Sequence, residues 1–408
     1  MTKRAGEMPI GSGGAHLIEY LLPFLILLSQ YSIGILRIDS LLLIVVGVIL
    51  TMRRHGKVLF PAYYRPFLSF LGYIVIRDIF RIVLGPDAFQ TQLNRMVEYM
   101  IIYSLVFVVC SQEFSEDRLY KAWKVAGVIF TIGLVYQLLQ LYILGQRIAP
   151  ISLIPGYALR PDEKSIQTRP SSFFAEPASF VNAMIPLEFL ALRRKDSKWA
   201  VFTTMATLLS GSTVGVILSI VLWTMELLQG NSSFGKRLLT VIIAVVVVML
   251  FRSLDVFNFS FTKFLEVASG GSTFGSRVLT GLEVVRRQSI IELVFGTNYN
   301  DVATFVANHS GNFSNSLVVM AYWKSGQLFM NTFSLLIFQY GIIGFGLFLY
   351  PLLLYLKQPK YKAKMLVVLT LVAIFGQTML LNTYYFILVI LFLLYENECQ
   401  NNIGEISE

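Results

Sequence analysis

Charged residues are scarce in this chain, and cysteine and histidine are almost absent. Of its 408 residues, 14% are charged, two are cysteines and three are histidines. An ordinary soluble domain has about 25% charged residues, so this composition excludes a typical water-soluble protein. The two cysteines, Cys110 and Cys399, have no metal-ligand pattern around them. We therefore expect neither a disulfide nor a metal site at these positions.

The motifs of several enzyme classes are also missing from the sequence. It has no glycine-rich loop of the kind that cradles nucleotide phosphates, and no His/Cys set for a metal ion. No Asp-rich motif occurs in the first outer loop or turn, where a metal-dependent transferase with a lipid-linked donor would hold one. We expect any active site in this chain to use no metal and no other cofactor.

Long apolar runs dominate the chain, which is 55% hydrophobic with a mean hydropathy of +0.66. A helix needs roughly 20 apolar residues to cross the hydrocarbon core of a bilayer. The sequence predicts an all-α integral membrane protein, a single polytopic domain over 1–408 with about twelve transmembrane helices. The least certain stretch, 199–229, is too long for one crossing and short for two. The expected spans are 17–36, 38–52, 66–84, 94–111, 122–145, 173–192, 199–211, 213–229, 238–254, 332–356, 364–381 and 383–395.

The net charge of +9 is explained by topology, and we expect no nucleic-acid partner. With the amino terminus in the cytoplasm, the basic residues of the short connections gather on the cytoplasmic side. The short outer turns hold only Arg37 and Arg95. This asymmetry predicts an even number of spans with both termini in the cytoplasm.

Two long connections are predicted outside the cytoplasm. The first large loop covers 146–172, and the second covers 255–331. Because long loops in compact proteins tend to be functional, we expect the chemistry on this outer face. Within the second loop, 276–295 has the pattern of an amphipathic helix at the lipid–water boundary. Its predicted apolar side consists of Val278, Leu279, Leu282, Val285 and Leu293.

The run Arg169-Pro-Ser-Ser-Phe-Phe-Ala-Glu-Pro-Ala-Ser-Phe180 brings an arginine and a glutamate to the mouth of a predicted span. Charges are costly at such a place and need a reason. The planar guanidinium of Arg169 suits phosphate oxygens, and Glu176 is a candidate base, or the group that orients the arginine. The alternative is a structural ion pair that fixes the loop to the helix entry, where Pro177 suits a first helical turn.

A second group of charges lies inside the third predicted span. Arg77 and Arg81 share a helix face, with Asp78 three residues before Arg81, in the outer half of the bilayer. They form either a cationic cradle for a lipid-linked pyrophosphate or a self-paired network that fixes helix packing. Arg160 in the first loop and Arg277 in the second are further candidates for binding pyrophosphate.

Histidine and aromatic residues of the second loop complete the candidates. His309 is the only histidine of the outer loops, and it is either a base or hydrogen-bond donor or an incidental loop residue. Tyr322 and Trp323 are candidates for stacking on sugar rings, although anchoring at the membrane interface explains such aromatic residues equally well.

The run at 169–180, entering a span after the first large outer loop, resembles the pattern of Wzy-type polysaccharide polymerases. Asn331-Thr-Phe-Ser followed by Tyr340-Gly-Ile-Ile-Gly344 resembles the corresponding span of the O-antigen polymerase and ligase superfamily. The resemblance implies a GT-C-like membrane glycosyltransferase of the bacterial inner membrane. Its substrate would be undecaprenyl-pyrophosphate-linked oligosaccharide, and its product O-antigen, capsule or exopolysaccharide. Membrane lipid, a chain-length regulator and a flippase are the other partners that it implies.

Two alternatives to a polymerase remain open, and the first is a ligase of the same superfamily. Ligases are expected to carry a His-Asn pair just before the Gly-Ile-Ile-Gly span, where this chain has Met330-Asn331. A ligase that uses this histidine is therefore disfavoured. The paired arginine-to-glycine spacings of some polymerase loops are also not clearly matched. A transporter, such as a flippase for lipid-linked oligosaccharides, is the second alternative. Transporters are usually built from repeated halves, but only the second half of this chain has a loop of ~75 residues.

Overall fold

The architecture is a helical bundle, seen in a computed structural model that describes part of the chain. The helices in chain order are α1 (Ser12–Leu28), α2 (Ile38–Arg53), α3 (Arg65–Leu84), α4 (Glu116–Tyr142), α5 (Pro177–Arg193), α6 (Ser197–Leu209), α7 (Thr213–Gln229), α8 (Thr273–Arg286), α9 (Ile290–Phe295), α10 (Val302–Asn308), α11 (Ser310–Phe313), α12 (Thr332–Lys357) and α13 (Tyr361–Gly376). The described residues are 12–33, 36–53, 65–84, 93, 115–154, 169–229, 273–299, 301–313, 319, 328, 330–357, 361–377, 383–385 and 387–392.

The helical prediction is confirmed for the described residues. Two helices, α4 and residues Thr332–Leu356 of α12, are long and apolar enough to cross a membrane by length and composition. The stretch 199–229 forms two helices, α6 and α7, which meet at a turn where Gly211 has a φ of 65°. The spans predicted at 94–111 and 238–254 lie outside the described residues.

A small antiparallel hairpin links α1 to α2. Its strands are β1 (Ser32–Ile33) and β2 (Leu36–Arg37). Arg37 pairs with Asp39 at 2.5 Å, and its Nη2 also donates to Thr383 Oγ1 at 2.7 Å. The start of α2 is thereby joined to the last described helical segment.

Helix α5 is the centre of the bundle, because residues 180–192 are all buried. A helix that is apolar on every side is a helix with neighbours on every side, and α5 packs against α1, α4, α6 and α7. Trp123 of α4 donates from Nε1 to Ala183 O at 3.1 Å. Gly127 lets the two helices approach closely, since a Cβ there would lie 2.6 Å from Leu187 Cδ2.

Ion pairs gather at one end of this bundle. Arg193, at the end of α5, pairs with Glu116 at the start of α4 at 2.8 Å. Lys124 pairs with Asp196, between α5 and α6, at 3.0 Å. Arg118 also pairs with Glu19 of α1. The basic residues among these belong to the set predicted on the cytoplasmic side, so the structure brings them to a common end.

Candidate functional site

The loop that carries Arg169 and Glu176 is held to α4 by one buried glutamine. The Oε1 atom of Gln137 accepts hydrogen bonds from the backbone N–H groups of Ser171 (2.8 Å) and Ser172 (2.6 Å). Its Nε2 donates to Ala149 O at 2.7 Å and to Ser172 O at 3.1 Å. The amide thus joins both described parts of the first large loop, 146–154 and 169–172, to one position of α4.

Close packing fixes the same loop from other sides. Ser172 has a φ of 59°, and its Oγ donates to Phe130 O at 2.7 Å. Gly133 makes room for it, since a Cβ on Gly133 would lie 2.5 Å from Ser172 Oγ. Phe174 is fully buried, with its ring centroid 5.0 Å from that of Phe130 and 6.0 Å from that of Phe180. Residues 171–174 are therefore closely packed against α4, and we name residues 169–176 the platform.

Glu176 and Arg169 lie together on this platform. Glu176 is the N-cap residue of α5, with Pro177 at the first helical position, and its side chain makes no capping hydrogen bond. Burial lowers the pKa of the Arg169 guanidinium, and the nearby negative charge of Glu176 raises it in part. The effect of the Glu176 charge on Arg169 places the two groups near one another, at a helix N-terminus that favours negative charge.

Arg77 and Arg81 bind the backbone of the second large loop. Arg77 Nη2 donates to Gly296 O at 2.8 Å and to Thr297 O at 3.2 Å, and Arg81 Nε donates to Thr297 O at 3.0 Å. Arg81 also pairs with Asp78 at 2.8 Å and is fully buried. The self-paired network is thus present, but most of its acceptors belong to a turn 219 residues further along the chain. We name this contact between α3 and residues 296–298 the arginine latch.

Two glycines allow the turn at residues 296–298 to lie close to α12. Helix α12 is broken at Gly341, which has φ 67° and ψ −174°. The turn enters this break: a Cβ on Gly296 would lie 2.2 Å from Gln339 O, and Thr297 N donates to Phe338 O at 2.8 Å. Only glycine fits where two backbones approach this closely.

The amphipathic helix predicted at 276–295 is two helices, α8 and α9. The first ends at Arg286, and Ser289 begins the second by a capping box with Glu292, in which Ser289 Oγ accepts from Glu292 N and the glutamate accepts from Ser289 N. Leu279 and Leu282 of the predicted apolar side are exposed, whereas Thr280 and Val284 are buried. The position of this apolar side at the lipid–water boundary stays a prediction.

Arg277 lies one turn before the point where α8 meets α12. Gly281, four residues later, packs on Ser334, since a Cβ there would lie 2.4 Å from Ser334 Oγ. Nearby, Gln377 O accepts from Thr332 N (2.9 Å), and Gln377 Nε2 donates to Asn182 Oδ1 (2.9 Å). Asn182 is six residues into α5 from Glu176. A buried polar network therefore connects the helix of Glu176 with the base of the second loop.

His309 has structural contacts among the described residues. Its Nδ1 donates to Phe305 O at 2.9 Å, and its ring lies 4.5 Å from that of Phe305 and 5.6 Å from that of Tyr299. The structure does not bring it into contact with Arg169 or Glu176. The remaining candidates, Arg160, Tyr322 and Trp323, lie outside the described residues.

Gln137 and the glycine pair Gly296 and Gly341 were not recognised from the sequence as parts of this site. An amide inside an apolar span was a usable signal, since such a group must find partners. Within the described ranges, no three His, Cys, Asp or Glu side chains gather as metal ligands.

Compared with protein-family models the chain matches none, and comparison with curated proteins also yields no match.

Proposed function

We propose that this chain is a membrane glycosyltransferase that polymerises oligosaccharide repeat units carried on undecaprenyl pyrophosphate. The observation that carries the proposal is the proximity of Arg169 to the charge of Glu176, next to loop residues that are hydrogen-bonded to α4 at the N-terminus of α5. A fixed cation beside a carboxylate suits a reaction that releases pyrophosphate and needs a base. The resemblance of residues 169–180 to Wzy-type polymerases supports the same assignment.

The proposed setting is the bacterial inner membrane, crossed about twelve times, with both termini in the cytoplasm. The apolar composition, the asymmetry of basic residues and the two span-length helices support this topology. The ion pairs of the bundle then lie on the cytoplasmic side. The platform of Arg169 and the arginine latch lie on the outer side, where the lipid-linked donor would be bound.

In the proposed reaction, Glu176 accepts the proton of an acceptor hydroxyl on the incoming repeat unit. The hydroxyl oxygen bonds to the anomeric carbon of the donor sugar as the bond from that carbon to the pyrophosphate oxygen breaks. Arg169 binds the departing pyrophosphate, with Arg277 and Arg160 as further cations. Arg77 and Arg81 act as positioning residues, because their hydrogen bonds hold the turn of the second loop.

The test is to delete the gene and to restore it with single variants. We expect deletion to remove long surface glycan and to leave single repeat units attached to their acceptor. Arg169→Ala and Glu176→Gln should each fail to restore long chains at normal protein level. Arg286→Ala, an exposed arginine of α8, should restore them. A normal ladder from either of the first two variants would remove that residue from the active site. Accumulated lipid-linked polymer in the deletion strain would indicate a ligase.

A transporter of lipid-linked oligosaccharide is the second candidate, and the broken helix α12 favours it. Helices interrupted at mid-length are typical of transporter binding sites. The two functions differ in where substrate accumulates when the chain is absent. A flippase deletion leaves single lipid-linked units on the cytoplasmic face, whereas a polymerase deletion leaves them on the outer face, where they are open to an added glycosidase.

A further inference from the structure

A carboxyl group that the proposed chemistry does not use lies inside the bundle. Glu188 of α5 is fully buried. Its Oε1 lies 2.9 Å from Thr204 Oγ1 of α6, and its Oε2 lies 2.8 Å from Ser219 Oγ of α7. The side chain therefore joins three helices. It is 12 residues from Glu176, which is about 18 Å along α5, so it is not a second acid of the proposed active site.

The donors and acceptors around Glu188 favour one protonation state of its carboxyl group. Thr204 Oγ1 has one hydrogen but three partners. Trp223 Nε1, at 2.8 Å, can only donate to it, and Ala200 O, at 2.9 Å, can only accept from it. An ionised Glu188 would have to share the single hydroxyl hydrogen of Thr204 with Ala200 O. A neutral carboxylic acid removes this competition, with Oε1–H donating to Thr204 Oγ1 and Oε2 accepting from Ser219 Oγ.

No charged group among the described residues contacts Glu188, and none forms an ion pair with it. Helix α6 presents Thr204, α7 presents Ser219 and Trp223, and α4 packs its Gly127 against Leu187. The charged residues of the packed helices lie elsewhere along each helix: Arg193 on α5, Lys198 on α6, Glu226 on α7, Glu19 on α1, and Glu116, Asp117, Arg118, Lys121 and Lys124 on α4. Three of the cations are paired with other carboxylates, Arg193 with Glu116, Arg118 with Glu19 and Lys124 with Asp196.

A carboxylate that is buried without a cation is so poorly solvated that such a group takes up a proton instead. We propose that Glu188 is a proton-binding site, whose bound proton completes the hydrogen-bond chain from α5 to α6 and keeps α5, α6 and α7 packed together. Loss of the proton leaves Thr204 with one hydrogen for two acceptors and places a bare charge between three helices. The site is independent of the polymerase proposal, because it uses neither the loops nor the latch.

Infrared difference spectra of the full chain test the proposal. Wild type minus Glu188→Gln, in lipid nanodiscs at neutral pH, should show the carbonyl band of a protonated carboxylic acid, shifted to lower frequency in D2O. Glu226→Gln is the matched control on α7 and should lose no such band. Glu188→Gln is expected to fold, because a glutamine amide can donate to Thr204 and accept from Ser219 as the carboxylic acid does. Absence of the band from the wild-type spectrum would overturn the proposal.

Two further measurements keep the assignment falsifiable without replacing the glutamate. Ser219→Ala removes the donor to Oε2, so the band should move to higher frequency, and an unmoved band would contradict the geometry. The spectrum should not depend on sodium. A band that appears only when sodium is withdrawn would make the site a cation site and overturn the proton assignment.

Discussion

Replacing Gly341 with alanine is expected to open the junction between α12 and the turn at residues 296–298. The backbone of Gly341, with φ 67° and ψ −174°, is in a region that residues with a side chain occupy at a cost of about 1–3 kcal/mol. A Cβ there would lie 2.2 Å from Val294 O and 2.6 Å from Gly296 N. Both are backbone atoms, so no side-chain rotation relieves the overlap.

Relief requires the two backbones to separate. Separation breaks the hydrogen bond from Thr297 N to Phe338 O, which is 2.8 Å long, and it draws the turn away from Arg77. Each hydrogen bond contributes about 1 kcal/mol net. Together with the backbone strain, we expect Gly341→Ala to lower the free energy of unfolding by about 3–4 kcal/mol.

The matched control is Gly346→Ala, five residues further along α12. No atom lies within 4 Å of a Cβ at Gly346, and alanine is favoured over glycine inside a helix by about 1 kcal/mol. This variant should therefore be as stable as the wild type or slightly more stable. Thermal unfolding of the purified proteins in the same detergent compares the three chains. Equal melting temperatures for the two variants would refute the close contact between α12 and the turn.

Three other predictions concern single polar side chains, each measured by unfolding of the purified protein. Arg81→Met should destabilise the fold by about 3 kcal/mol, because it leaves a buried carboxylate without its cation, and a double variant that also neutralises the aspartate should lose less. Gln137→Leu should cost about 3 kcal/mol by leaving buried loop N–H groups unsatisfied, whereas Gln140→Leu, at a partly exposed position on the same helix, should be nearly neutral. Hydrogen bonding, chiefly from Lys124, lowers the pKa of Asp196. Its stabilising effect should be present above the ordinary aspartate pKa and lost as pH falls through the lowered pKa, and Asp196→Asn should remove this dependence.

Helix positions were predictable from the sequence because apolar runs and their breaks are local features. The predicted segments 38–52, 66–84, 213–229 and 332–356 lie close to α2, α3, α7 and α12. The proximity of Arg169 and Glu176 was also predictable, since only seven residues separate them at a helix entry. In both cases the residues that carry the pattern are close in sequence to the residues whose structure they predict.

The partners of buried polar groups were not predictable, because they are distant in sequence. Arg77 was expected to need a partner, and the sequence permits either an anion or another protein group. The structure supplies carbonyl groups of the turn at residues 296 and 297. That choice depends on Gly296 and Gly341, which allow two backbones to cross. The sequence of α3 itself does not indicate it. The break between α8 and α9 was missed for a different reason, since the capping pair Ser289 and Glu292 interrupts a continuous amphipathic pattern.

Both large loops are attached to the bundle in the same way. A polar side chain in an apolar helix, Gln137 for the first loop and Arg77 with Arg81 for the second, forms hydrogen bonds with backbone groups of the loop. Backbone groups are the commonest partners of polar side chains in proteins. A polar residue inside such a helix is therefore best interpreted first as the anchor of a loop. For the proposed polymerase, this argument favours catalytic roles for Arg169 and Glu176 and pyrophosphate binding by Arg277, rather than chemical roles for the anchors themselves.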